Sequence, residues 1–151
     1  MYKCKHFAIQ ELLPEDYYLI QYPIYGDRLW MVFDVRMLMT LDMVRNLHGP
    51  MVMNTWYRTD WIDAYGRHEW RGLRDHNSPY VQRDDSEFGN ISQHRYGRAG
   101  DPVPLKVSAQ FIRDDIRNNP NRLEYRYIRG IEENIGWFHF DTRGENTIQY
   151  F

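Results

Sequence analysis

The chain of 151 residues holds a single cysteine, Cys4, which rules out an internal disulfide and agrees with synthesis in a reducing cytoplasm. Long hydrophobic runs are also missing. No window reaches the roughly 20 apolar residues of a membrane span, and Met1-Tyr2-Lys3-Cys4-Lys5-His6-Phe7 lacks the apolar run of a signal peptide. The expectation is a protein made in the cytoplasm, without a signal peptide and without a membrane partner. Neither sign of charge dominates: 19 Lys and Arg stand against 21 Asp and Glu, giving a net charge of -2. The basic residues are interspersed with acids, so nothing in the sequence argues for nucleic acid or an anionic lipid surface as partner. Internal repeats, low-complexity segments and linkers are absent too.

What remains is an ordinary globular composition, 42% hydrophobic and 16% aromatic, enough to bury a sizeable core in one domain spanning residues 1–151. Leu38, Leu41 and Met43 or Val44 recur at helical spacing between Asp34 and Leu47, and Gly49-Pro50 stops that helix. Met51 to Trp56 reads as a strand in which Asn54 signals an approaching loop or site. Tyr57 to Asn90 mixes aromatics, charges and glycines without either period, as a shaped loop or groove wall would. Its aromatic cluster, Trp56, Tyr57, Trp61, Tyr65 and Trp70, suits packing better than a sugar platform. Ser108 caps a second helix with Phe111, Ile112 and Ile116 along one side, ended by Asn119-Pro120. Strands are expected over Tyr125–Ile131, Trp137–Thr142 and Thr147–Phe151, the last two joined by a turn at 143–146. Helices and strands segregated in this way favour an α+β domain with a small antiparallel sheet and helices on one side. The first thirty residues, with Pro14, Pro23 and Gly26, read as an arm or short helix packed on it.

Chemistry concentrates in Ser92-Gln93-His94-Arg95-Tyr96-Gly97-Arg98-Ala99-Gly100-Asp101. Fully extended, the seven residues from His94 to Asp101 span roughly 23 Å, so both side chains reach one ion only if the backbone folds back, which Gly97 and Gly100 allow. A third donor is His139 in Trp137-Phe138-His139-Phe140-Asp141, where alternation sends Trp137, His139 and Asp141 to one face and both phenylalanines to the other. Two histidines and one carboxylate, with a fourth position left to water, is the composition of a catalytic rather than a structural zinc site. His6, His48, His68 and His76 show no such spacing.

Ser92-x-His94-x-x-Gly97-x-Ala99-x-Asp101, followed by Trp137-x-His139-x-Asp141, resembles the shared motif of the zinc D-alanyl-D-alanine peptidases, the fifteenth metallopeptidase family. The likeness covers residues 30 to 143 and is nearest to small phage- or prophage-encoded members that cut peptidoglycan stem peptides. It implies a hedgehog/DD-peptidase-like fold, a zinc cofactor, and His94, Asp101 and His139 as its ligands. Arg71-Gly72-Leu73-Arg74 with Ser78-Pro79-Tyr80 looks like that family's substrate-side loop, without the usual aromatic before the arginine. By that likeness Arg74 binds a substrate carboxylate, a task that suits a guanidinium fork.

One position departs from the pattern. Many members carry a catalytic acid three residues before the last histidine, where this chain has Gly136. Glu132 and Glu133 are the candidates, and an even connecting loop of two or four residues between the strands puts Glu132 on the face of His139. Three residues would reverse the choice. Glu132 is thus the expected general base, Ser92 and Gln93 hydrogen-bond the peptide, and Asp141 orients a ligand histidine from behind.

The resemblance implies a zinc peptidase of the D,D-carboxypeptidase or L-alanyl-D-glutamate endopeptidase type, freed by lysis or carried on a phage particle beside other particle proteins. Its rival is a non-catalytic phage virion structural or attachment protein that keeps the fold, supported by the missing acid at Gly136. A hedgehog-like metal-dependent binding module shares the same ligands.

Overall fold

In the N-terminal region, the one regular helix buries none of its residues. The structure, a computed structural model, describes residues 1–82 and 92–151. The expected short helix is there as α1 (Glu15–Tyr25), yet none of its residues is buried. Burial falls on its flanks instead: Phe7, Ile9, Leu12, Leu13, Leu29 and Trp30 all enter the main hydrophobic cluster. The first thirty residues therefore supply core rather than lie upon it.

Helix α2 (Val35–His48) follows, and both of its ends have a chemical cause. The Asp34 carboxylate accepts the Arg36 backbone N–H at 2.9 Å, satisfying one of the free donors of the first turn. Gly49, at φ 90°, takes the left-handed conformation that ends the helix before Pro50. Met37, Leu38, Leu41 and Val44 form its inner stripe, and each contributes roughly 1.5–3 kcal/mol by leaving water.

The expected strand from Met51 pairs over two residues only, as β1 (Met51–Val52). Beyond it Asn54 leaves sheet geometry to bond other segments: its amide donates to the Leu13 carbonyl at 3.0 Å and its carbonyl accepts the Arg71 N–H at 2.9 Å. The stretch read as irregular contains two short helices, α3 (Thr59–Tyr65) and α4 (Pro79–Gln82), and its last residues, 83–90, lie outside the described residues.

Three elements follow: β2 (Ala99–Gly100), β3 (Val103–Pro104) and α5 (Ala109–Asn118). β3 pairs antiparallel with β1. Ser108 caps α5 as expected, its hydroxyl accepting the Phe111 N–H at 3.0 Å. Tyr125, read as the start of a strand, is instead in a 3-10 turn at Leu123–Tyr125. Its hydroxyl sits between His48 Nε2 of α2, at 2.7 Å, and the Asp115 carboxylate of α5, and this tether prevents an extended backbone.

The remaining strands are β4 (Gly130–Ile131), β5 (Phe140–Asp141) and β6 (Gln149–Tyr150), in a four-stranded sheet of order β2-β5-β4-β6. Two ladders are antiparallel as expected, but β6 runs parallel to β4. The reason is occupancy: β2 already holds the outer edge of β5, so the returning chain takes the free edge of β4. The whole is mixed α/β with small sheets, compatible with the α+β class. Among the described residues no helix is long and apolar enough to cross a membrane.

One buried carboxyl makes the fold sensitive to pH. Glu11 is 3% exposed, and burial pushes its pKa up from 4.5 to about 7 against the pull of the Ala8 N–H and Arg45. The raised value means that its contribution is fully present below pH 4.5 and is lost as pH rises through about 7. Glu11→Gln, which keeps an acceptor for Ala8, is expected to remove this slope. Melting curves of the two proteins should differ by on the order of 3 kcal/mol more at pH 8 than at pH 4; parallel curves would refute the assignment.

Candidate metal centre

The ligand segment folds back at one residue, not two. Gly97 has φ 62°, and a Cβ there would lie 2.3 Å from the Val32 carbonyl oxygen, so conformation and space both demand glycine. Its N–H caps the 3-10 turn Gln93–Tyr96, and its carbonyl accepts the Asp34 N–H at 2.9 Å. Gly100 by contrast lies in β2, where a Cβ would meet only ordinary side-chain contacts. The expectation that it shares in the reversal is corrected: pairing with β5, in register Ala99↔Asp141 and Gly100↔Phe140, is what delivers Asp101.

His94, Asp101 and His139 meet as a buried group whose ligand atoms all lie within 4.8 Å of one another. His94 Nδ1 donates to the Gly72 carbonyl at 2.7 Å, which leaves Nε2 as the free lone pair. That Nε2 is 3.3 Å from His139 Nδ1 and 3.3 Å from Asp101 Oδ1. Tetrahedral ligands at zinc bond lengths of roughly 2.0–2.1 Å sit roughly 3.3–3.4 Å apart, so these two pairs have the spacing of a metal site. The third pair, His139 Nδ1 to Asp101 Oδ1, is closer at 2.6 Å and is a hydrogen bond. The group fits a divalent cation and could hold one.

Electrostatics follow from burial set against pairing. Burial pushes the His94 pKa down, favouring the neutral ring that a metal needs. Burial alone would raise Asp101, but His94 and the hydrogen bond from His139 outweigh it and hold the carboxyl well below the usual range. For His139 burial is overcome by its bonds toward Asp101 and Asp141, and its pKa stands at about 9.

Asp141 takes the place expected of it, behind His139. Its Oδ2 is 3.8 Å from His139 Nε2, an ionic contact rather than a hydrogen bond. Arg143 fixes the carboxylate, donating from Nε to Oδ1 at 2.8 Å and from its own backbone N–H at 3.1 Å. Gly130 makes room, since a Cβ there would lie 2.4 Å from Asp141 Oδ2. Burial is again outweighed, and Asp141 stays ionised with a pKa of about 2.

The two glutamates part company. Glu132 Oε2 lies 4.0 Å from His139 Nδ1 with its side chain 39% exposed, whereas Glu133 turns away to pair with Arg117. Eight residues, 132–139, connect the strands, more than the two or four expected, but the number is even. Counting one residue on from the Ile131↔Phe140 pair sets Glu132 and His139 across from each other, just beyond the ladder. A cleft of about 270 Å³ brings together Arg74, Ser92, Gln93, His94, Glu132 and His139.

Arg74 has partners that the sequence did not suggest. Its Nη2 donates to Asp101 Oδ2 at 2.7 Å and its Nε to the Trp70 carbonyl at 2.9 Å. The guanidinium therefore holds the ligand carboxylate, leaving Oδ1 toward the histidines, and it also lines an adjoining cleft of about 330 Å³ with Arg67, Trp70, Arg71, Tyr80 and Trp137.

Sequence reasoning missed Arg113, Arg143 and Phe151. Arg113 is 3% exposed and donates to the carbonyls of Ile135 and Trp137 at 2.9 and 3.0 Å, anchoring the loop that carries Glu132. Its signal was a charge on the buried stripe of Ala109, Ile112 and Ile116. Arg143 could have been found as a cation two residues after Asp141. Phe151, whose ring stands edge-on 5.9 Å from that of His139, gave no signal.

A scan of protein-family models, a search of curated proteins and a search of solved structures each found no match to this chain. The site stands on its geometry.

Zinc titration of metal-free protein should show one bound ion per chain and a raised melting temperature. His139→Ala should abolish both effects. Arg74→Ala, which frees Asp101 without touching a ligand, should weaken zinc roughly 10- to 100-fold, the usual cost of losing a residue that orients a ligand; unchanged affinity would remove Arg74 from the site.

Proposed function

We propose that the chain is a zinc-dependent peptidase that hydrolyses peptidoglycan stem peptides, of the D,D-carboxypeptidase or L-alanyl-D-glutamate endopeptidase type, with a hedgehog/DD-peptidase-like fold. The observation that carries this reading is the carboxylate of Glu132, placed 4.0 Å from a ligand atom of the buried His94, Asp101 and His139 group and open to the same cleft. A structural metal would be enclosed by four protein ligands. Three ligands, an open side and a neighbouring half-exposed acid are the parts that hydrolysis requires.

When bound, zinc supplies Lewis acidity at the scissile carbonyl and lowers the pKa of water toward roughly 7. The residues of the chain do the rest. Glu132 takes a proton from the attacking water and delivers it to the leaving amine nitrogen, so that the amine departs neutral. Asp141, held by Arg143, prevents His139 from turning, and Arg74 keeps Asp101 aimed. Ser92 and Gln93 line the cleft where the polar groups of the peptide lie. With Arg74 engaged by Asp101, a substrate carboxylate finds additional guanidinium groups, Arg67 and Arg71, in the adjoining cleft.

Gly136 does not deprive the site of an acid on this reading, because Glu132 reaches the place from farther back along the loop. Neither Arg95 nor Trp137 lines the ligand cleft, as a plugged, purely structural site would require.

Zinc-loaded protein incubated with purified stem peptides should release products that mass spectrometry identifies and that a chelator suppresses. Glu132→Gln should lower turnover roughly 10²- to 10⁴-fold with zinc retained. Absence of cleavage by protein shown to hold zinc would overturn the peptidase and favour the non-catalytic virion protein.

A further inference from the structure

A cavity larger than the metal cleft lies elsewhere among the described residues. About 780 Å³ of space lies beside β6, lined by Arg117, Arg122, Arg126 and Arg129 with Tyr125 and Tyr150, and no lining residue is acidic. In a chain of net charge -2, four guanidinium groups around one cavity are a local excess that composition does not account for. Phe151 lines the metal cleft and Tyr150 lines this cavity, so adjacent residues at β6 serve separate sites.

The four arginines are not equivalent. Arg117 pairs with Asp114 and Glu133, and Arg122 pairs with Asp115 at 2.9 Å, so these two charges are largely met within the protein. Arg129 makes no ion pair among the described residues. Its Nε donates to the Glu145 carbonyl at 2.8 Å and its Nη1 to the Ile128 carbonyl at 2.6 Å, which fixes the fork without neutralising it. Arg126 likewise has no carboxylate partner among the described residues; it lies over the Tyr127 ring, with its guanidinium carbon 4.5 Å from the ring centroid, and is exposed. Two uncompensated guanidinium groups therefore share a cavity of ligand size, one of them held rigid by backbone.

We propose that this cavity binds a phosphate-bearing anion, with Arg126 and Arg129 as the charged donors and Arg117 and Arg122 as the walls. A guanidinium fork matches two oxygens of a phosphate group, and two such forks match a doubly charged phosphate or two linked phosphodiesters. The ligand is a free phosphate compound or a phosphodiester polymer, and the shared chemistry is the tetrahedral oxyanion. The proposal is independent of the peptidase reading, since no metal ligand lines the cavity.

The test titrates metal-free protein, in separate arms, with inorganic pyrophosphate and with a short poly(glycerol phosphate), by calorimetry at two salt concentrations. Saturable binding is expected in at least one arm, weaker at the higher salt. Arg126→Glu should weaken it about tenfold or more, while Arg28→Glu, an equal charge change at an exposed residue outside the cavity, should leave it within about twofold. Tighter binding of pyrophosphate identifies a free phosphate compound, and tighter binding of the polymer identifies a phosphodiester chain. Equal losses in the two variants would show general charge attraction and overturn the site, as would no saturable binding in either arm. Melting curves matching wild type confirm that Arg126→Glu is folded.

Discussion

The hydrogen bond from His94 Nδ1 to the Gly72 carbonyl, 2.7 Å long and fully buried, is the contact on which the rest of the site depends. It settles which ring nitrogen carries the proton, and so leaves Nε2 directed at Asp101 and His139. Its acceptor is itself fixed by the N-terminal segment. A Cβ on residue 72 would lie 2.2 Å from the Leu12 carbonyl oxygen, and that same oxygen accepts the Leu73 N–H at 2.7 Å. Leu12 in turn is wholly buried in the main cluster. The first thirty residues thus reach the buried His94, Asp101 and His139 group through one glycine and two carbonyls, which explains why they are core rather than appendage.

Around that contact the ligands arrive from different levels of structure. His94 sits on a 3-10 turn closed by Gly97, Asp101 follows a strand, and His139 precedes the strand that pairs with it. Each is held by a partner: Gly72 for His94, Arg74 for Asp101, and Asp141 with Arg143 for His139. A buried carboxylate between two histidines would be costly if it were left without hydrogen bonds. Here one oxygen faces the histidines and the other the guanidinium, so the polar group is satisfied with its ligand oxygen still directed inward.

What could be read in the sequence was what local spacing encodes. Helices α2 and α5 carry their caps and stops in the chain, at Asp34, Gly49 and Ser108, and both are found where those residues put them. The meeting of His94, Asp101 and His139 was legible because a glycine-marked reversal and a period-two strand are local signals. The parity argument for Glu132 survived an error in loop length, because side-chain alternation depends on whether the loop is even and not on how long it is. Strand extents and the parallel pairing of β6 were not legible. They depend on which sheet edge is already occupied and on a tyrosine tethered to two helices, and neither condition is written near the strands themselves.

Arg74 shows how far an inference from position in a motif can go. The resemblance placed a guanidinium beside the site, and a guanidinium is beside the site, but its partner is the carboxylate of Asp101. Both roles use the same chemistry, a planar fork on a carboxylate, so residue type alone could not distinguish a substrate carboxylate from a ligand one. Burial distinguishes them. Asp101 is 3% exposed and cannot draw its counter-charge from water, and among the described residues Arg74 is the one arginine that forms an ion pair with it, beside the two histidines. The demand of a buried charge for a partner is met before any demand of a ligand that comes and goes. The other arginines of the adjoining cleft are held as well: Arg67 pairs with Glu15, and Arg71 donates to the Met53 carbonyl at 3.1 Å.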